Sequence, residues 1–182
     1  MSQGRIIDCC SLINLYTGWG GLSELNGIGW RWHFCEAVLK EAEHTREYGE
    51  DGSPVIVPMN FGQLVANELL HLVAPGTDEE LADYLDFASE VDDGEAQALA
   101  IAKHRGFTLL TDDRKAMRLA ARPEVTVATI STADVLRGWA GLTPKNDRRL
   151  GEIICRIETL ARFTPRRDSP DYAWWVACRE RT

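Results

Sequence analysis

The stretch VDDGEAQALAIAKHRGFTLLTDDRKAMRLAA, residues 91–121, constrains the fold of this 182-residue chain more than any other segment. It reads as helix, strand, helix. Ala98, Leu99 and Ala102 recur at helical spacing, Gly106 stands where a glycine cap ends such a helix, and FTLLT has the unbroken apolar character of a strand buried on both faces. Asp112 and Asp113 then open a further helix through Ala121. Acids therefore stand at the mouths of two consecutive helices, either side of one strand. A parallel α/β sheet produces this arrangement, because residues just beyond the carboxyl ends of its strands gather at one rim.

The same alternation continues on both sides of the block. Arg5 to Cys9 reads as a short strand and SLINLY, from Ser11, as a first helix, whereas TGWGGLSELNGIGW is punctuated by glycine and reads as a loop. A helix is expected from Cys35 to Glu47, with Ala37, Val38 and Ala42 at helical spacing, and a strand from Pro54 to Pro58. FGQLVANELLHLV fits strand or helix equally well. In TDEEL, Thr77 and Glu80 form a capping box that predicts a helix over 78–90 with Leu81, Tyr84, Leu85 and Ala88 on one face. VTVATI is a further strand and STADVLRGWAGL a helix begun by Ser131. The stripe Leu150, Ile153, Ile154, Ile157, Leu160 and Ala161 predicts a C-terminal helix over 147–163. With 45% apolar residues the chain suffices for one good core and is too short for two.

Composition excludes several classes. A net charge of −8 argues against a protein that grips nucleic acid through a basic surface. KNDRR at 145–149 and RR at 166–167 are locally basic; a solvated helix face and a charged tail are their ordinary reading. The five cysteines are odd in number and lack CxxC or zinc spacing, so reduced, mostly buried thiols are expected, with Cys9 and Cys10 as small core residues rather than nucleophiles. His33, His44, His71 and His104 have no metal spacing. No run of about 18 apolar residues occurs, and MSQGRIIDCC lacks the apolar stretch of a secretion signal, so a cytoplasmic protein with no membrane partner is expected.

The acids carry the chemistry. Asp8 ends the first strand between Ile7 and Cys9, a costly place for a carboxylate without a partner. Glu95 lies in the first turn of its helix, and Glu41, with Glu36 and Glu43 as rivals, lies on the second helix within reach of the same rim. Four carboxylates within about 4 to 6 Å repel by several kcal/mol per pair at an effective dielectric of about 20, unless a cation binds or protons are taken up. Oxygen ligands without His or Cys select Mg²⁺ or Mn²⁺ over zinc. Each acid also has a duller role: Asp92 and Glu95 match a capping box, and Asp112 fits as the cap of its own helix.

DCCSLINL after a short strand, VLKE in the second helix, DDGEAQALAIAKHRG and LLTDDRKAMRLAA resemble the sequence blocks of PIN-domain proteins, a family of metal-dependent ribonucleases that includes the VapC-like toxins. The resemblance spans about residues 5 to 140, and the blocks from 92 to 121 are its most specific part. It implies a three-layer α/β fold with a central, mostly parallel sheet of four to five strands, a PIN-like catalytic domain over 1–142, and a C-terminal helix and tail over 143–182 packed on that domain. Position by position, the family's first aspartate falls on Asp8, its glutamate on Glu41, its third acid on Glu95 in a GE variant, and its fourth on Asp113, two residues after the threonine of a T-x-D pattern. Asp112 is an additional acid beside it. One departure is Cys10, where the family often carries a small hydroxyl or amide residue.

What the resemblance implies is an endoribonuclease using Mg²⁺ or Mn²⁺ on Asp8, Glu41, Glu95, Asp112 and Asp113, with RNA as substrate, an antitoxin protein as partner, and a homodimer as the assembly. Three alternatives use the same residues. A phosphohydrolase or DNA flap-type nuclease needs the same carboxylates. A PIN-like scaffold binds RNA or protein without cutting. A receiver-like module needs a lysine at the end of a late strand, where this chain has Ser131 and Thr132 after VTVATI.

Overall fold

The computed structural model describes residues 4–66 and 68–181. In chain order they form β1 (Gly4–Ile7), α1 (Cys9–Trp19), α2 (Leu25–Ile28), β2 (Arg31–Cys35), α3 (Glu36–Glu41), β3 (His44–Tyr48) and β4 (Pro54–Pro58). There follow α4 (Phe61–Ala66), β5 (His71–Val73), α5 (Asp78–Phe87), α6 (Asp93–Arg105), β6 (Thr108–Leu110), α7 (Arg114–Ala120) and β7 (Thr129–Ile130). The chain ends with α8 (Thr132–Ala140), α9 (Pro144–Arg156), a π-helical turn (Ile157–Ala161) and α10 (Tyr172–Arg179).

Five strands make one all-parallel sheet in the order β5-β2-β1-β6-β7, with Ile6 opposite His33 and Ile7 opposite Leu110. Helices cover it in two layers, α3, α5 and α7 around α6 on one side and α1, α8 and α10 around α9 on the other, the three-layer α/β arrangement expected. The central strands lie between two helical layers, so they read as continuous apolar runs: Ile6, Ile7, Leu109 and Leu110 are all fully buried. In α6 every residue from Gly94 to Ala102 is buried, and its alanines let the helix lie close against the sheet. This helix positions Glu95.

Strand β2 follows directly on the segment read as loop, and its last residue, Cys35, is where a helix is expected to begin. Arg31 and His33 disguise it, yet His33 is satisfied inside the sheet: its Nδ1 lies 3.1 Å from the Arg5 carbonyl oxygen and its ring stacks on Phe107 at 4.4 Å. The segment read as loop holds the end of α1 and the short α2. The helix expected over Cys35–Glu47 stops at Glu41, and the polar run HTREY instead pairs antiparallel with PVIVP in a separate two-stranded ribbon, Thr45 opposite Val57. Gly52, at φ 77°, makes the turn of that ribbon. FGQLVANELLHLV divides into α4 and β5, with Asn67 outside the described residues. VTVATI contracts to Thr129–Ile130 because Thr126 adopts φ 53°. The first helix starts at Cys9 rather than Ser11, and the C-terminal helix starts at Pro144, capped by Thr143.

The face assigned to α5 is reversed. Leu81 and Leu85 are 45% and 69% exposed, while Glu80 and Phe87 turn inward. Glu80 accepts from Gly76 N (2.6 Å) and from Arg105 Nε and Nη2 (2.7 and 2.9 Å). The Arg105 guanidinium holds its carboxyl down at about 2, against the opposing effect of burial. Glu80→Ala leaves those donors without an acceptor, and a loss of about 2 kcal/mol in urea unfolding is expected. A carboxyl with a depressed folded pKa stabilises above its unfolded value, so this contribution fades as pH falls from about 4.5 toward about 2.

The C-terminal segment folds back onto the helices. Trp175 is fully buried, its Nε1 donates to Glu158 Oε1 at 3.0 Å, and Phe163 meets its ring edge-on at 5.6 Å. Arg137 stacks over the Trp174 ring at 4.4 Å and pairs with Asp171 at 3.0 Å. No helix among the described residues is long and apolar enough to cross a membrane.

Candidate functional site

Asp8 follows β1 directly and is the N-cap of α1, its Oδ1 accepting from Ser11 N at 2.7 Å. That bond satisfies one oxygen. Oδ2 is buried with no hydrogen-bond partner, and the residue is fully shielded from solvent. Burial pushes the carboxyl up to about 7, against the pull of Thr111 and the Ser11 amide. A carboxyl in this place either keeps its proton or, once ionised, calls for a cation.

Glu95, on the first turn of α6, repeats the pattern: it is buried and its Oε2 has no partner. Its carboxyl is raised by burial first, then by the charges of Asp92, Glu41 and Asp113. Asp92 occupies the N-cap position but makes no side-chain cap bond, so the capping-box explanation of this pair does not describe the structure. Glu41, the last residue of α3, accepts from Gly94 N at 3.1 Å, and burial with Asp93 and Asp92 raises it as well. Gly94 leaves room for this approach, since a Cβ there would stand 2.8 Å from Glu41 Oε2.

The two acids after β6 have different work. Asp113, not Asp112, caps α7: its Oδ1 accepts from Lys115 N at 2.7 Å and Ala116 N at 2.8 Å, which leaves Oδ2 outside the cap. Asp112 is engaged on both oxygens. Oδ1 accepts from Thr132 N at 3.0 Å, and Oδ2 accepts from Asn14 Nδ2 at 3.1 Å, Ser11 Oγ at 3.3 Å and the Thr132 hydroxyl. It thereby ties α1 and α8 to the end of β6. Ser11, Asn14, Thr111 and Thr132 are the polar residues that reading the sequence for acids passes over. Ser11 and Asn14 stand three and six positions after Asp8 on α1, which is a legible signal for a shared face.

One residue locates the acids relative to each other. Cys10 faces solvent rather than the core, and its thiol is pushed up to about 12 by loss of hydration and then by Asp8, Glu95, Asp112 and Asp113. Its partner Cys9 is buried, and burial raises its thiol further, with Glu41, Asp8 and Glu95 among the charges acting on it. Asp8 and Glu95 thus bear on both thiols, with Asp112 and Asp113 on Cys10 and Glu41 on Cys9. The acids are not gathered into a ready cage: among the described residues no group of three or more His, Cys, Asp or Glu side chains is placed to hold a metal ion.

A parallel three-layer α/β sheet carries buried acids just beyond its central strands, in keeping with the nuclease-type fold of PIN domains. A family model described as a PIN domain matches residues 5–136, and the chain belongs to that family. No curated protein matches the chain. PIN domains typically use divalent metals, and the residues here fit one in a specific respect, the two buried carboxylate oxygens that nothing in the protein satisfies.

Proposed function

We propose that the chain is a metal-dependent endoribonuclease of PIN type that hydrolyses RNA phosphodiester bonds with Mg²⁺ or Mn²⁺, and acts as the toxin of a toxin–antitoxin pair. The observation that carries this reading is the pair of orphaned oxygens, Asp8 Oδ2 and Glu95 Oε2, buried near further carboxylates. Asp8, Glu95 and Asp113 would hold the cation, Asp113 having one oxygen outside its cap, and Glu41 would assist from across the rim. When bound, the cation supplies Lewis-acid polarisation of the phosphate and neutralises developing charge. Asp8, raised to about 7, would be freed of its proton near neutral pH to serve as such a ligand. Asp112 keeps the rim rigid rather than facing the cation, because its acceptors are already engaged. Oxygen-only donors agree with a hard cation.

The exposed Leu81 and Leu85 on α5 support a protein partner, the antitoxin or a second copy in a homodimer. The test is cleavage of defined single-stranded RNAs with Mg²⁺ or Mn²⁺ by the wild type, Asp8→Asn and Asp113→Asn. Cleavage that persists in both variants sinks the proposal. One observation favours a second reading, a PIN-like scaffold that binds without cutting: the absence of a ready three-ligand cage among the described residues. RNA binding with no product under either cation selects that reading.

Gly94→Ala probes the Glu41 contact. Ala is a better helix former than Gly, so the variant is expected to fold with stability within about 1 kcal/mol of the parent. Its Cβ displaces the Glu41 carboxylate from Gly94 N. Mn²⁺ affinity, read by calorimetric titration, is expected to fall about ten-fold. Unchanged affinity removes Glu41 from the site.

A further inference from the structure

The segment 163–171, outside the matched family region, closes a cavity of about 410 Å³ against α7 and the start of α8. Asp112 and Arg114 both line it, and Asp113, which caps α7, stands between them in the chain, so the cavity and the acid rim share the segment that follows β6. Met117, Ala133, Phe163 and Pro165 make it largely apolar. Its roof is held without any ligand: Asp171 accepts from Ser131 Oγ at 3.0 Å and pairs with Arg137, and Phe163 is fixed edge-on against Trp175. Three arginines, Arg114, Arg118 and Arg166, stand on its wall in a chain of net charge −8. Arg114 and Arg166 both reach Asp168, at 3.2 and 3.4 Å, in exposed pairs that exchange readily for another anion. Arg118 has no carboxylate partner among the described residues.

We propose that this cavity is a nucleotide subsite, taking one base of single-stranded RNA against its apolar wall and the adjoining phosphate on Arg118. It rests on the ribonuclease reading and deepens it, placing the nucleotide next to the one at the acids. An apolar recess of this size holds a planar base with its sugar, every base has a face to bury, and a guanidinium matches a phosphate in a bidentate fork.

The test uses the full chain carrying Asp8→Asn, so that RNA stays intact, and a short fluorescein-labelled single-stranded RNA followed by anisotropy. Arg118→Glu and Met117→Trp, both at exposed positions, are expected to weaken binding about ten-fold or more, while Arg118→Lys retains most of it. Arg31→Glu changes the net charge equally at the opposite end of the sheet and is expected to stay within about two-fold. Thermal melts identify any variant that fails to fold, and Arg118→Glu alone then decides. Binding unchanged in Arg118→Glu, an equal loss in Arg31→Glu, or no binding by the parent overturns the subsite. If the wild type cuts no RNA but the Arg118 effect is present, the ribonuclease reading falls and the subsite stands. If the wild type cuts and the cavity variants bind as the parent does, the reverse holds.

Discussion

Asp8→Asn is expected to lower kcat/KM for RNA cleavage by about a thousand-fold or more, while leaving the metal-free protein at least as stable as the parent at pH 8. The two effects separate because Asp8 does two things. As a helix cap it needs one acceptor oxygen, which an amide supplies to Ser11 N equally well. As an ionised group it is a burden, since burial pushes its carboxyl up to about 7 from an ordinary 3.8. The sign follows from proton binding. The folded chain holds the Asp8 proton more tightly than the unfolded chain, so stability is greatest below the ordinary value and declines as pH rises from about 4 to about 7. The decline from this residue is on the order of 4 kcal/mol, and Glu95, Glu41 and Asp112, all raised, act in the same direction. Glu80 acts oppositely in a lower window, from about 2 to 4.5, which meets the Asp8 window only at its lower edge.

Adding Mn²⁺ at pH 8 reverses the decline if the carboxylates hold it. A ligand at a hundred times its Kd adds about 2.7 kcal/mol, or about 5 °C or more in Tm for a chain of this length. In Asp8→Asn both the pH slope assigned to this residue and the Mn²⁺ shift are expected to disappear. A wild-type Tm that is flat between pH 4 and 7, or a Mn²⁺ shift that survives the substitution, contradicts the assignment of Asp8 as the central ligand.

The rim was legible in the sequence because strand ends and helix starts are where local signals are strongest. Gly106 at φ 65° after α6, the Ser131–Asp134 capping box of α8 and the apolar run of β6 place the surrounding elements within a few residues. What stayed hidden depends on partners far away in the chain. Strand β2 carries no strand signal of its own until His33 finds the Arg5 carbonyl and Phe107, and β3 looks helical until PVIVP pairs with it. The inward turn of Glu80 depends on Arg105, so the apolar stripe of α5 gave the wrong face. The division of labour between Asp112 and Asp113 is of this kind too. Adjacent acids before a helix are equivalent as local signals, and only contacts from Ser11, Asn14 and Thr132 tell them apart.

That division yields a second large effect. Asp113→Asn keeps an oxygen for Lys115 N and Ala116 N, so its Tm is expected to stay within about 2 °C of the parent while cleavage falls by about 10² to 10³ and Mn²⁺ affinity with it. Asp112→Ala is expected to do the opposite. It strands the buried Thr132 amide and leaves Asn14 and Ser11 without their acceptor, loosening α1 and α8 from the end of β6, at a cost of about 3 kcal/mol in urea unfolding. Mn²⁺ affinity, titrated where the variant is folded, is expected to stay within about ten-fold of the parent if, as proposed, Asp112 braces the rim rather than ligating. Each variant thus fails in the property the other preserves, and general damage to the fold cannot produce such a crossing. Should Asp112→Ala abolish Mn²⁺ binding while Asp113→Asn retains it, the two roles are exchanged, and the cation lies toward Asn14 and Thr132 rather than toward Glu95.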